Sequence, residues 1–152
     1  MTISIAIETP VSEDGHRLIN GSEDALRAVY TADECFTFTA EELVSDTIRF
    51  YVARQDGHAL GCVALVEEDG YAEIKRLFVD PKARGLGLAK KLMARLEEDA
   101  FAAGLEEVKL ETGEKLAAAV ALYKKLGYRV CGPFGPYEDH PASLFMEKNL
   151  SC

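Results

Sequence analysis

Tryptophan is absent from this 152-residue chain, and its three histidines, His16, His58 and His140, stand far apart. The four cysteines, Cys35, Cys62, Cys131 and Cys152, form no C-x-x-C pair and lie at no ligand spacing from a histidine. Tetrahedral metal sites need such clusters, so no metal centre is expected. Basic residues are also scarce: 17 Lys and Arg against 26 Asp and Glu leave a formal net charge of −9. Phosphate backbones demand clustered Lys and Arg, which argues against a nucleic-acid partner. The balance is compatible with a positively charged amine as partner, although an acidic surface that merely keeps a protein soluble accounts for it more readily. No apolar run reaches the ~18 residues that a membrane span needs. The first ten residues carry neither a basic n-region nor a cleavable apolar stretch, so a cytoplasmic protein with reduced thiols, away from membranes, is expected.

What remains is ordinary globular material, 48% hydrophobic and 28% charged, of a length that suits a single domain over residues 1–152. Ile3, Ile5 and Ile7 alternate with smaller residues until Pro10 stops them, as in a strand. From Ser12 to Thr47 the spacing of Leu18, Ala25, Leu26 and Val29 is helical. Ser22, followed by Glu23 and Asp24, resembles a helix start, and Thr39 with Glu42 resembles a capping box. Ile48 to Val52, Leu60 to Val66 and Tyr71 to Val79 read as three strands joined at Asp56-Gly57 and Asp69-Gly70, an antiparallel meander. Ala89, Leu92, Met93, Leu96, Ala100 and Ala103 then form a helical stripe that Gly104 closes. Val108 to Thr112 is a strand, Leu116 to Leu126 a second helical stripe ending at Gly127, and Tyr128–Val130 and Ser143–Lys148 are closing strands. This order predicts an α/β (α+β) fold with a mixed, mostly antiparallel sheet of six to seven strands, helices on both faces, and a parallel pair within Tyr71–Thr112.

The most informative stretch is Asp80-Pro81-Lys82-Ala83-Arg84-Gly85-Leu86-Gly87-Leu88-Ala89-Lys90, between a strand and a long helix. Its glycines let backbone approach a ligand, and the unpaired first N–H groups of the helix, its dipole and Arg84 favour an anion such as phosphate. The spacing is wrong for a Walker loop, and Lys90 stands where a dinucleotide fingerprint needs its third glycine. A turn that only starts a helix stays open at this level. Along Ala72–Val79 the alternation breaks after Lys75, which means either two buried faces or a bulge that shifts the phase.

These residues resemble the GNAT acyltransferases. Arg84, Gly87 and Ala89 fill the R/Q-x-x-G-x-G/A signature, and Ala119, Leu122, Tyr123 and Gly127-Tyr128 fill the later A-x-x-L-Y-x-x-x-G-F/Y helix. The likeness covers Phe50 to Val130, and the loop Gly132–Tyr137 resembles a bacterial branch of small acetyltransferases. The resemblance implies an N-acetyltransferase that uses acetyl-CoA as donor, without a metal, and a small-molecule or peptide amine as acceptor. It also allows a homodimer. The implied donor contacts are the amides of Arg84, Gly85, Leu86, Gly87, Leu88 and Ala89 for the pyrophosphate, Leu77, Phe78 and Val79 along the pantetheine arm, and Ala119. An amine attacks the thioester carbonyl, and a backbone N–H near Leu77 or Phe78 steadies the oxyanion. Tyr123 is the implied proton donor to the departing thiolate. Glu73 is the first choice of base, acting through water, with Glu111 as its rival. A CoA-binding module without turnover, and an acyltransferase with another acceptor or acyl donor, remain as alternatives.

Overall fold

Seven apolar runs pair edge to edge into one sheet, in the order β1-β2-β3-β4-β5-β7-β6. The computed structural model describes residues 2–31 and 38–151, so Cys35 and Cys152 lie outside the described residues. The elements are β1 (Ile3–Ile7), α1 (Glu13–Arg27), β2 (Ile48–Gln55), β3 (His58–Glu67), β4 (Tyr71–Val79), α2 (Leu88–Ala102), β5 (Glu107–Thr112), α3 (Ala117–Lys125), β6 (Arg129–Cys131) and β7 (Leu144–Asn149). Every pairing is antiparallel except β4 with β5. The expected meander, the parallel pair and both glycine-closed helices are present, with Gly104 and Gly127 in left-handed backbone at φ 85° and 99°.

Two apolar clusters, one on each sheet face, hold the layers. Leu88, Leu92, Met93, Leu96 and Tyr123 from α2 and α3 pack with Tyr51, Val63, Leu65, Ile74 and Leu110. Leu18, Ile19 and Leu43 pack with Phe50, Val52, Cys62 and Ala64 on the other face. Burying one such aliphatic side chain stabilises by about 1.5–3 kcal/mol.

The N-terminal helix differs from the sequence reading. It starts at Glu13, where the Ser12 hydroxyl accepts from Gly15 N and Glu13 and Asp14 stand in the first turn. Ser22 therefore lies inside α1, buried, and its hydroxyl accepts from the guanidinium of Arg76. The Ser-Glu-Asp run mimics a cap in composition, but Ser12 already occupies the position whose backbone is extended, at φ −71° and ψ 168°. The capping box is real in geometry, with Thr39 N donating to Glu42 at 2.9 Å and Glu42 N to Thr39 Oγ1 at 3.2 Å. It closes a turn and not a helix.

The meander's third strand positions the site. β4 pairs with β3 at Lys75↔Ala64 and then at Phe78↔Cys62, so Val63 faces two residues, Arg76 and Leu77. Arg76 sits at φ 57°, a left-handed backbone that is strained for a residue with a side chain. This bulge resolves the broken alternation: Ile74 and then Leu77 and Val79 face α2, while Phe78 turns toward α1. β4 follows β5 only from Tyr71↔Glu107 to Ile74↔Leu110, and beyond that the two strands part.

Candidate functional site

The gap between the parting strands is the mouth of a cleft of about 700 Å³. β4 from Ile74 to Val79 and β5 at Glu111 and Thr112 form its floor. The glycine loop and the start of α2 close one side, Gly113 and residues 115–119 with Tyr123 another, and Ser22, Leu26, Tyr30 and Phe38 the α1 side.

On β4, Asp80 N donates to Leu60 O at 2.7 Å and Phe78 pairs with Cys62 in the ladder, so both face β3. Because N–H groups alternate along a strand, those of Leu77 and Val79 face the gap. Two donors thus line the cleft without belonging to a ladder. The loop adds more. Asp80 caps a short 3₁₀ turn at Pro81–Ala83, Gly85 has φ 92°, and Gly87 opens α2 at φ 71° with no side-chain cap. Among the described residues no partner accepts from the backbone N–H of Gly85, Gly87, Leu88, Ala89 or Lys90. Five donors converge at a helix start, beside Arg84, which suits a pyrophosphate. A Cβ at Gly85 or Gly87 would meet no protein atom within 4 Å, so the space beside the loop is open to a ligand.

The residues expected from sequence fall into place unevenly. Leu77, Phe78, Val79, Arg84, Gly85, Gly87, Leu88, Ala89 and Ala119 line the cleft together with Tyr123, whereas Leu86 packs against the apolar core. Tyr123 is 6% exposed and stacks edge-on against Tyr128, and its hydroxyl makes no hydrogen bond among the described residues. Burial raises its pKa above the usual phenol value.

Glu73 does not reach the cleft. It is 4% exposed, with its carboxylate 3.2 Å from Lys75 Nζ and accepting from the Tyr137 hydroxyl at 2.5 Å. Lys75 also donates to Tyr137 and lies 4.5 Å over the Phe38 ring. Glu111 lines the cleft instead. Burial pushes its carboxyl up to about 7, the Glu73 charge adds to the rise, and the Ser143 hydroxyl and Lys75 draw it back. A half-ionised carboxyl at an open cleft can take a proton from an arriving ammonium at neutral pH.

Sequence reasoning missed Arg76 and Tyr137. Arg76 donates to Phe38 O at 3.0 Å and to the Glu23 carboxylate at 2.8 Å, tying the bulge to α1. Tyr137 belongs to the connection between β6 and β7, which among the described residues touches the cleft through Ala142. Nothing in its sequence points to Glu73.

The acetyltransferase (GNAT) family model matches residues 16–128. An IAA acetyltransferase from Azospirillum brasilense is 43% identical over 150 residues, covering 97% of this chain and 98% of its own. A crystal structure described as an acyl-CoA N-acyltransferase from Klebsiella pneumoniae superposes with TM-score 0.83 at 33% identity, covering 98% of both chains. The PaiA N-acetyltransferase of Thermoplasma acidophilum, solved with coenzyme A, shares the fold at TM-score 0.80 and 20% identity over 98% of this chain and 99% of its own. Parted strands, a glycine-started helix with free amides and these likenesses agree: the chain belongs to the GNAT family and is an acetyl-CoA-dependent N-acetyltransferase.

Proposed function

We propose that the chain transfers the acetyl group of acetyl-CoA by direct attack to a primary amine of a small molecule or peptide, in the cytoplasm. The observation that carries this reading is the cleft itself, which brings free backbone donors, Tyr123 and a carboxyl near neutrality to one gap in the sheet. The thioester supplies the activated acyl carbon. The amides of Gly85, Gly87, Leu88, Ala89 and Lys90, with Arg84, hold the pyrophosphate. Val79 N–H orients the pantetheine arm, and Leu77 N–H donates to the carbonyl oxygen as it gains charge.

Glu111 accepts the proton of the acceptor's ammonium, directly or through water. Glu73, the sequence's first choice, acts at one remove: its charge raises the proton affinity of Glu111 while Lys75 and Tyr137 hold it in place. Tyr123 donates a hydrogen bond to the departing sulfur. Transfer from a phenol raised above pKa 10 to a thiolate whose acid lies near 8.5 is uphill, so the bond acts as charge builds. Such a bond to a charged group contributes about 1.5–3 kcal/mol. Tyr123→Phe should therefore lower kcat roughly tenfold or more and spare acetyl-CoA affinity; unchanged turnover at neutral pH would leave Tyr123 as a packing residue.

Calorimetric titration with acetyl-CoA, with NADH and ATP as controls, tests the whole reading. Saturable binding of acetyl-CoA alone is expected, followed by CoA release in the presence of amines. Equal binding of ATP, or none of acetyl-CoA, would overturn it.

A further inference from the structure

The charges that line the cleft run against those of the chain. Although the protein carries a net −9, the ionisable Lys, Arg, Asp and Glu side chains at the cleft are, among the described residues, Lys75, Arg76, Arg84, Lys90, Lys115 and a single acid, Glu111. Arg84 and Lys90 flank the glycine loop on the α2 side, where the donor's phosphates go. The other cations face the α1 side, and two of them are already neutralised. Lys75 pairs with Glu73 at 3.2 Å, and Arg76 pairs with Glu23 at 2.8 Å.

Lys115 is different. Its Nζ lies 5.2 Å over the Tyr30 ring and makes no ion pair among the described residues. The segment that carries it is held firmly. Lys115 N donates to the Tyr30 hydroxyl at 3.1 Å, and a Cβ at Gly113 would come within 2.0 Å of that hydroxyl, so the Tyr30 tip fits against bare backbone. The uncapped start of α3 follows directly and adds partial positive charge to the same wall. Leu26, Phe38 and Phe78 supply apolar surface nearby.

An acceptor with a second ammonium finds no free acid among the described residues of the cleft. Glu73 is buried and engaged, and Glu111 is the group that must take the reacting proton. A second positive charge would face Lys75, Arg76 and the solvent-exposed Lys115 across the cleft. A carboxylate would instead complete Lys115, the cleft cation on the α1 side that no described acid pairs. Resting on the acetyltransferase reading, we propose that the acceptor is an amine that also bears a carboxylate, and that Lys115 receives this carboxylate and selects for it. A charge-assisted contact of this kind discriminates by about tenfold or more.

The test uses two amino acids, L-phenylalanine and L-leucine, each beside its α-amide and its decarboxylated amine, in an acetyl-CoA thiol-release assay. The amide's amine is less basic, so more of it is free to attack at neutral pH, and intrinsic reactivity works against the expected order. The expected result is at least tenfold higher kcat/KM for a carboxylated member than for its amide and amine. That ratio should collapse in Lys115→Ala and return in Lys115→Arg, and the arginine variant also guards against a folding defect. Amides or simple amines used equally well, or a ratio that survives Lys115→Ala, would overturn the proposal while leaving the acetyltransferase standing. So would acetyl-CoA binding without turnover of any carboxylated member. Failure of acetyl-CoA to bind at all would instead overturn the enzymatic reading beneath it.

Discussion

Gly87→Glu should raise the dissociation constant for acetyl-CoA by ~100-fold or more and leave the fold intact. Gly87 is the first residue of the α2 cap, at φ 71° and ψ 24°, and a Cβ there meets no protein atom within 4 Å. The damage is therefore not internal crowding. Left-handed backbone costs a residue with a side chain about 1–2 kcal/mol, which lowers stability but does not unfold a domain. The main effect falls on the ligand: a carboxylate would point into the space where free amides and Arg84 await an anion. Two like charges ~4 Å apart at a protein surface repel by about 4 kcal/mol, which corresponds to roughly a thousandfold in affinity. Gly87→Asn separates the causes, because asparagine tolerates this backbone and adds no charge. It should lose far less affinity than the glutamate variant. Calorimetry on both, with thermal melts to confirm folding, reads the difference. Unchanged acetyl-CoA affinity in Gly87→Glu would remove the glycine loop from the donor site.

Much of this architecture is local and therefore legible. The glycine-started helix, the meander turns at Asp56-Gly57 and Asp69-Gly70, and the helix ends at Gly104 and Gly127 each follow from a few neighbouring residues, and each is present. The broken alternation after Lys75 correctly signals an irregularity, but choosing between a bulge and two buried faces requires the partner strand. Only the β3 register, in which Val63 faces two residues, decides it. The start of α1 fails for a related reason. Ser12 and Ser22 both precede two acidic residues, and which one caps depends on the backbone around each.

The acid–base groups show the sharper limit. Glu73 and Glu111 look alike in sequence, each on a strand beside the motif. What separates them is long-range: Tyr137, 64 residues away, and Lys75 occupy the Glu73 carboxylate. Parting of β4 from β5 beyond Ile74 leaves Glu111 at the opening. The cleft's basic lining is likewise invisible in a net charge, because the acidic excess lies elsewhere on the molecule.

That contrast makes Glu111→Gln the most diagnostic substitution at the catalytic end. As base, Glu111 must be deprotonated, and its carboxyl lies up to about 7. The kcat/KM of the native enzyme should rise about tenfold per pH unit below that value and flatten above it, apart from the acceptor amine's own titration at higher pH. Glutamine cannot take a proton, so kcat should fall ~10²–10⁴-fold and the inflection near neutrality should vanish. Stability should move the other way. The carboxyl has an ordinary value of 4.5 and is raised in the folded protein by burial. The native state thus holds an extra proton between these values. Its contribution to stability is fully present below the ordinary value and is lost as pH rises through about 7. Glutamine never bears the charge, so at pH 8 the variant should exceed the native enzyme by about 2–3 kcal/mol, ~4–12 °C in Tm, and near pH 4 the two should melt together. A variant that is slower yet more stable at alkaline pH identifies a carboxyl held for chemistry at the expense of the fold. A flat native profile below neutrality, or the same profile in the glutamine variant, would return the role of base to Glu73 or to water.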